Sequence, residues 1–219
     1  MLPRIFNEGD AWFVWKAEEL TALRTNAKVM GELCMTAPDF PKQSLFLGLP
    51  AKFSKNEVYW CYQHNLCRLV KPIFKRPITN LQDCPEHRNS LHSISFSTCY
   101  LDNEEDYDIE DIPPPQPDPF QYSVFETFKE KDFWVQDGSN YGCDFCIYVK
   151  EPWTCHASAL VWCEPEKMNT KTLIQHVRVA ENVHKRGIAA IQDPISSVIN
   201  YIEIYRPLED RSVHQKPHK

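Results

Sequence analysis

One segment near the middle of the sequence divides the chain into two parts. Between Asp102 and Asp111 seven of the ten residues are acidic and none is basic, and the run Pro113-Pro114-Pro115-Gln116-Pro117 follows closely. Such segments cannot bury enough apolar surface to offset the entropy that ordering costs. The pattern predicts a solvated, flexible linker; a docking segment for a basic partner surface is the alternative. The predicted parts are a small α+β module at 1–72, the linker at 73–119 and a second domain at 120–219.

Composition limits the class of protein on either side of this segment. The 219 residues are 42% hydrophobic and 12% aromatic, as in folded globular proteins. No apolar run approaches the ~20 residues that span a bilayer, and the N-terminus lacks the apolar core of a signal peptide. An intracellular protein is expected. Its nine cysteines are odd in number and irregularly spaced, and most of them are expected to be reduced core residues.

Charge does not decide whether the partner is a nucleic acid. The formal net charge is −6, but without the seven clustered acids it becomes +1. A local basic pocket can form on a nearly neutral surface, so charge neither indicates nor excludes RNA.

The N-terminal part has the pattern of a small module of helices and strands. Trp12–Trp15 is a short apolar run typical of a strand, and apolar residues at helical spacing follow over Ala17–Met30. Ser54 with Glu57 three residues later is a capping-box signature. It predicts a second helix over Val58–Leu69.

The C-terminal part has the strongest pattern, in which a helix and two strands are followed by a second helix and two further strands. This order is typical of a compact α/β sandwich. The second helix is expected to bury Leu173, Val177 and Ala180, and to end at Gly187. The predicted elements are a helix through Tyr122, Phe125 and Phe128, strands over Cys143–Val149 and Ala157–Cys163, a helix over Leu173–His184, and a hairpin of Ile188–Ile191 with Val198–Tyr205 around Asp193-Pro194.

Three residues of this part could cooperate in cutting RNA without a metal: Tyr148 at a strand end, His156 after the following loop, and Lys185 near a helix end. The chemistry requires a base for the 2′-hydroxyl, an acid for the departing 5′-oxygen and a cation for the charge at phosphorus. Histidine is suited to the acid role and lysine to charge stabilisation. Tyrosine, with an ordinary pKa of about 10, needs a cationic neighbour to act as a base. Each of these residue types, taken alone, is more often structural.

The order of motifs around these residues resembles the tRNA-splicing endonuclease family. A Gly-x-Asp-Phe segment begins at Gly142 and matches the strand that leads into the family's tyrosine, and Tyr148–His156 matches its tyrosine–loop–histidine motif. Farther along, Arg178–Lys185 matches the motif Arg-x-Ala-x-x-Val-x-Lys in full, and the last strand ends in an aromatic residue beside Arg206. Lys150-Glu151 departs from the family pattern, in the loop only. The ordered combination is specific, although no single element is.

The resemblance implies both a fold and a mechanism. The fold is α+β, with a small N-terminal α/β module and a C-terminal tRNA-intron endonuclease catalytic domain, which is a restriction-endonuclease-like α/β sandwich. Tyr148 is implied as general base, His156 as general acid and Lys185 as the transition-state stabiliser. The products would be a 2′,3′-cyclic phosphate and a 5′-hydroxyl, with no metal or other cofactor. Arg178 and Tyr205 are the candidates for binding an unstacked nucleotide of the RNA.

The N-terminal part implies which subunit of that enzyme the chain resembles. Val14–Glu18, Ala22–Arg24 and Leu47–Pro50 resemble the N-domain of the family's smaller catalytic subunit, which cuts at the 3′ splice site. The implied partners are pre-tRNA, a second catalytic subunit and two structural subunits in a nuclear heterotetramer. Val198–Tyr205 is a plausible edge strand for pairing with another subunit.

Two other interpretations remain open from the sequence. A zinc module could use Cys143-x-x-Cys146 together with Cys155, His156 and Cys163, although Cys143 and Cys146 of a regular strand would face opposite sides. A non-catalytic structural subunit of the same complex is the second alternative, but such a subunit would be expected to lack part of the Tyr-His-Lys set.

Overall fold

The computed structural model describes residues 2–36, 47–74, 107–164 and 168–206. The chain forms two compact units, Met1–Pro117 and Asp118–Lys219. Each unit contains helices and a mixed sheet, which confirms the α+β fold class. Most of the predicted linker lies outside the described residues. Within the described ranges, the helices are too short or too polar to cross a membrane.

The N-terminal unit is a six-stranded sheet with two helices. Its strand order is β3-β4-β2-β1-β5-β6, in which β1 and β5 are parallel and the other neighbours are antiparallel. The core contains side chains such as Ile5, Val14 and Leu23, which have no exposed surface. The elements are β1 Arg4–Glu8, β2 Ala11–Val14, α1 Ala17–Ala27, β3 Glu32–Thr36, β4 Leu47–Phe53, α2 Lys55–Gln63, β5 Arg68–Phe74 and β6 Tyr107–Asp111.

Both predicted helices of this unit form, but their ends differ from the prediction. Helix α1 ends at Ala27 rather than Met30, because Lys28 adopts a left-handed conformation and its N–H donates to the Arg24 carbonyl. The capping box of Ser54 at the start of α2 is confirmed. The extension of α2 to residue 69 is wrong, because Asn65 is also left-handed and the chain then pairs with β1 as strand β5.

The second half of the acidic segment is a strand, so the prediction of a linker over all of 73–119 is wrong there. Tyr107–Asp111 pairs antiparallel with β5 as the edge strand β6. Tyr107 is buried against the ring of Phe6, and Ile109 packs in the same cluster, while Asp108 and Glu110 are exposed. This alternation of apolar and acidic residues lets an acidic segment form a strand with one buried face.

The C-terminal unit is a five-stranded sheet in the order β11-β10-β9-β8-β7. Strands β9 and β10 are parallel, and the other neighbours are antiparallel. A helix connects the parallel pair, as a parallel connection requires. The elements are α3 Pro119–Glu130, β7 Trp134–Asp137, a 3₁₀ turn Ser139–Tyr141, β8 Phe145–Tyr148, β9 Ala159–Glu164, α4 Thr170–Asn182, β10 Arg186–Gln192 and β11 Ile199–Ile204.

The two helices of this unit pack on opposite faces of the sheet. Phe125 of α3 contacts Phe145 of β8, with ring centroids 5.8 Å apart. Phe145 lies opposite Val161 in β9, so the next residue, Trp162, faces the other side. There it stacks on His176 of α4 at 4.5 Å. The sheet is therefore the middle layer of the predicted α/β sandwich.

The end of α4 also differs from the prediction. Gly187 does not end the helix but lies buried in β10, where a Cβ would come within 2.8 Å of the Ile204 side chain. The helix ends at Asn182, and His184 takes the left-handed conformation instead. Val177 and Ala180 are buried as expected, whereas Leu173 is 38% exposed.

Candidate active site

A single residue, Ser158, connects the three central strands at one end of the C-terminal sheet. This end, where Tyr148 closes β8 and Arg186 opens β10, is the edge of the sheet referred to below. Its backbone N–H donates to the carbonyl of Ile147 at 2.7 Å, and its Oγ donates to the same carbonyl at 2.9 Å. Its own carbonyl accepts the N–H of Arg186 at 3.4 Å. Ile147, Ser158 and Arg186 are therefore joined by hydrogen bonds across the ends of β8, β9 and β10, just before Ala159, which lies opposite both Ile147 and Arg186. We call these three hydrogen-bonded residues the Ser158 row.

The three predicted catalytic residues flank this row. Tyr148 follows Ile147 at the end of β8, Lys185 precedes Arg186 at the start of β10, and His156 lies two residues before Ser158. Neighbouring strands lie about 4.8 Å apart, so β8 and β10 are separated by about 10 Å. The structure thus brings Tyr148, His156 and Lys185 to one edge of the sheet, although they are widely spaced in the sequence.

Tyr148 is held in a defined position at this edge. Its side chain is 8% exposed, and its hydroxyl donates to Oε1 of Gln136 on β7 at 2.8 Å. Burial raises the pKa of Tyr148 above that of a free phenol, and neighbouring cysteine and tyrosine side chains, chiefly Cys146, add to this effect. Tyr148 is therefore a neutral phenol in the chain by itself, and it needs activation before it can accept a proton.

The loop between Tyr148 and His156 folds back toward the sheet. Trp153 at its middle packs edge-on against Trp134, with ring centroids 5.2 Å apart, and Trp134 lies directly opposite Tyr148 in the register of β7 and β8. A turn inside the loop is closed by the Thr154 N–H and hydroxyl, which both donate to the Glu151 carbonyl at 2.8 Å. After this turn, His156 is exposed to solvent, where a substrate can reach it.

Lys185 is positioned by the end of α4. Its backbone N–H donates to the carbonyl of Ala180 at 2.9 Å, which closes the last turn of the helix. The next residue enters β10 through the Ser158 row. Lys185 is half-buried, and the backbone bonds on both sides of it fix where its side chain begins.

Arg178 and Tyr205, the predicted RNA-binding residues, lie toward the same edge. Ile204 is opposite Gly187, so β11 ends where β10 begins, and Tyr205 follows with 72% of its surface exposed. Arg178 is exposed on α4 and forms no ion pair with the residues that the structure describes. Glu181 on the same helix forms a salt bridge with Arg206, at 3.2 Å. All five predicted site residues thus belong to one end of this unit.

An apolar cavity of about 500 Å³ lies between α4 and the last two strands. Tyr205 and Arg206 are at its rim beside the active-site edge. Its apolar lining includes Leu173, which explains why a residue predicted to be buried is partly exposed. Strand β11 is the outermost strand on this side of the sheet, and Ile202 on it is 48% exposed. The lining residues are Met168, Leu173, Ile174, Val177, Ala189, Ile191, Ile202, Glu203, Ile204, Tyr205 and Arg206.

The cysteines considered for a zinc module are arranged differently. Cys143 does not belong to the strand, because Gly142 turns the chain at φ +73° just before it. Its Sγ lies 3.8 Å from Sγ of Cys146, so the expectation that the two face opposite sides is wrong. In residues 2–36, 47–74, 107–164 and 168–206, no three side chains of His, Cys, Asp or Glu are grouped as metal ligands.

Asp144 of the matched motif has a structural environment. One carboxylate oxygen accepts the Cys163 N–H at 2.8 Å, and the other accepts from the Gln121 amide at 3.0 Å. These bonds join the start of β8 to β9 and to α3, at the edge opposite the Ser158 row. The motif residue therefore contributes to the orientation of the strand that carries Tyr148.

Gln136 was not found by the sequence analysis. It belongs to a short strand that precedes the matched motif, and a glutamine in a partly buried strand carries no signal for its partner. Only the register of β7 with β8 places it near Tyr148.

Comparison with known proteins assigns both units. Residues 119–201 match the family model for the tRNA intron endonuclease, catalytic C-terminal domain, and residues 3–72 match the model TSEN34-like, N-terminal domain. The C-terminal unit is thus a tRNA intron endonuclease catalytic domain. The tRNA-splicing endonucleases of Saccharolobus solfataricus, Saccharolobus islandicus and Sulfolobus acidocaldarius are 35%, 34% and 34% identical to this chain over 83 residues. Both units thus match proteins of the tRNA-splicing endonuclease family, which confirms the resemblance seen in the sequence. The matched region is 37% of this chain and 46% of the length of these relatives, so the chain spans a little under half of each.

Proposed function

We propose that this chain is a catalytic subunit of a tRNA-splicing endonuclease and that it cleaves pre-tRNA at the 3′ splice site. The observation that carries the proposal is the Ser158 row, which gathers a candidate base, acid and cation at one sheet edge. The TSEN34-like match of residues 3–72 supports the assignment to the subunit that cuts the 3′ site.

The proposed reaction is an in-line transfer of the phosphate to the neighbouring 2′-oxygen. Tyr148, once it has lost its proton to a buffer base, accepts the 2′-hydroxyl proton as the phenolate and returns to the phenol. The 2′-oxygen forms a bond to phosphorus while the bond from phosphorus to the 5′-oxygen breaks. His156 donates a proton to that 5′-oxygen, and Lys185 stabilises the charge on the phosphate oxygens. The products are a 2′,3′-cyclic phosphate and a 5′-hydroxyl end. In this proposal the three side chains make both proton transfers to and from the RNA and stabilise the charge at phosphorus, without a metal ion.

The nucleotide beside the cut is proposed to be held by Arg178 and Tyr205. Both side chains are exposed at the active-site end, and their planar groups can stack on an unstacked base. Glu181 is engaged by Arg206, which leaves the guanidinium of Arg178 available for RNA.

Replacing Arg178 or Tyr205 by alanine is expected to weaken RNA binding. A base stacked on such a group contributes about 1–3 kcal/mol, so each variant should lose about tenfold in affinity or more. Binding of a radiolabelled pre-tRNA by the assembled enzyme at fixed salt measures this. Lys171→Ala, an exposed cation at the other end of α4, is the control and should bind almost normally. An equal loss in Arg178→Ala and Lys171→Ala would assign the effect to general charge and contradict a stacking role.

The chain is proposed to act in a heterotetramer with a second catalytic subunit and two structural subunits. Among the described residues strand β11 pairs on one side only, and its exposed Ile202 lies next to the apolar cavity. An edge strand of this kind can pair with a strand from another chain. The nucleus is the proposed location, on the family resemblance alone, and imaging of a tagged chain in cells would test it.

Mapping the cut ends in a defined assembly tests the proposed function. The chain is co-expressed with its three partner subunits, and the other catalytic subunit carries a substitution that inactivates it. We expect a mass corresponding to four subunits by light scattering and a single cut at the 3′ splice site. The ends should be a 2′,3′-cyclic phosphate and a 5′-hydroxyl, unchanged by EDTA. A cut at the 5′ site only would contradict the assignment of the site, and an intact RNA would favour a structural subunit.

A further inference from the structure

The side chain of Gln136 belongs to the same sheet face as Tyr148. In the register of β7 with β8, Trp134 is opposite Tyr148 and Gln136 is opposite Cys146. Opposed residues of paired strands share a face, and alternate residues along a strand share it too. Gln136 therefore lies diagonal to Tyr148, and its Oε1 accepts the phenol hydrogen at 2.8 Å.

An amide can serve a tyrosine in both of its protonation states. A neutral phenol donates, and the amide oxygen accepts its hydrogen. A phenolate only accepts, and the amide nitrogen carries two N–H donors. Turning the amide of Gln136 by about 180° about its last torsion exchanges one for the other, since that torsion is roughly two-fold. Among the described residues Gln136 makes no other side-chain hydrogen bond, so nothing else in them holds the amide in one orientation.

The remaining groups around the phenol do not help it to ionise. Burial and its neighbours raise the pKa of Tyr148, and each of these neighbours is neutral or becomes negative when it titrates. They come from β8, from the segment before it, from the 3₁₀ turn and from the loop that leads to His156. The groups are Cys146, Cys143, Tyr141 and Cys155. Among the described residues, the amide of Gln136 is in hydrogen-bond contact with the hydroxyl of Tyr148, and its N–H groups can donate to a phenolate.

We propose that Gln136 is a positioning residue for the base, which holds the phenol of Tyr148 through Oε1 and, after turning, supports the phenolate through Nε2. The inference rests on the proposed function, because it gives Tyr148 the role of base. In the cycle the phenol proton passes to a buffer base, and the phenolate then takes the proton of the 2′-hydroxyl and returns to the phenol. Gln136 itself neither gains nor loses a proton.

Titration of a labelled phenol tests the proposal without RNA or partner subunits. The probe is 2,3,5-trifluorotyrosine at position 148 of the full chain, because its fluorines lower the phenol pKa into an accessible range and give ¹⁹F signals. Gln136→Met keeps the length of the side chain without a donor or acceptor, and Gln136→Glu keeps the acceptor and adds a negative charge. Gln192→Glu makes the same charge change at the far end of β10 and is the control.

The expected order of the titration midpoints follows from whether residue 136 can donate a hydrogen bond to the phenolate of Tyr148. Gln136→Met should raise the midpoint by about one unit or more, because a hydrogen bond to a charged group is lost, and Gln136→Glu should raise it further. Gln192→Glu should match the parent. In the assembled enzyme Gln136→Met should lower kcat at the 3′ site about tenfold with little change in KM. Midpoints in both Gln136 variants equal to that of the parent would overturn the proposal. Because the titration needs no cleavage, it distinguishes this outcome from a failure of the proposed function.

Discussion

A His156→Ala chain, assembled with its partner subunits, is expected to cut the 3′ splice site about 10²–10⁴-fold more slowly than the parent, the usual range for loss of a general acid. His156 is exposed and follows the turn that Thr154 closes, so truncation of its side chain leaves the loop and the sheet in place. The reason for the loss is chemical, because the departing 5′-oxygen would leave as an unprotonated alkoxide. Initial rates with a pre-tRNA substrate measure the effect.

Two controls separate this role from a general loss of structure. His64→Ala removes an exposed histidine of the N-terminal unit, whose ring stacks on Trp60 at 3.8 Å, and should leave the rate unchanged. A substrate with sulfur in place of the bridging 5′-oxygen has a leaving group that needs no proton. It should restore most of the rate to His156→Ala but not to Lys185→Ala. A variant that cuts the normal substrate at the parental rate would remove His156 from the mechanism.

The fold of the C-terminal unit was largely readable because its signals are local. The helix around Phe125, the two strands that follow it and the closing hairpin each depend on residues near one another in the sequence, and the structure contains all of them. The short loop between Tyr148 and His156 also limits how far apart these two can be. Lys185, in contrast, could be assigned to the site only by matching the motif. It lies near Ser158 because β9 and β10 pair in parallel, and this pairing joins segments that are far apart in the sequence.

Contacts between distant segments were the part that the sequence could not supply. The run of acids before Pro113 gives no signal that Tyr107 packs on Phe6, about a hundred residues earlier. The bond from Tyr148 to Gln136 and the packing of Trp153 on Trp134 depend on the register of β7 with β8, which a four-residue strand specifies weakly. Helix ends were missed where Asn65 and His184 took left-handed conformations that propensity assigns to glycine.

Glu57 was predicted only as half of a capping box, but it also connects two parts of the N-terminal unit. It is 2% exposed, and its Oε2 accepts the backbone N–H and the hydroxyl of Ser54, both at 3.0 Å. Its Oε1 accepts the N–H groups of Met30 and Gly31, at 2.9 and 3.1 Å. The carboxylate thus fixes the turn after α1 against the first turn of α2. Burial raises the pKa of Glu57, while these four donated hydrogen bonds act in the opposite direction.

Replacement of Glu57 by alanine is expected to destabilise the N-terminal unit by about 3–5 kcal/mol, because four donors lose their acceptor. The Gly31 N–H is buried and costs the most, about 1–3 kcal/mol, whereas the other three donors are partly buried and cost less, since water can reach them. Glu57→Gln should cost less, about 1–3 kcal/mol, since its amide nitrogen then faces donors that it cannot accept from. Ser54→Ala should cost about 1 kcal/mol, the usual value for a lost cap. Urea unfolding followed by tryptophan fluorescence measures these differences, with Glu18→Ala as the exposed control on α1. If Glu57→Ala lost no more stability than Ser54→Ala, Glu57 would be only a helix cap, and the turn after α1 would be held by its own backbone.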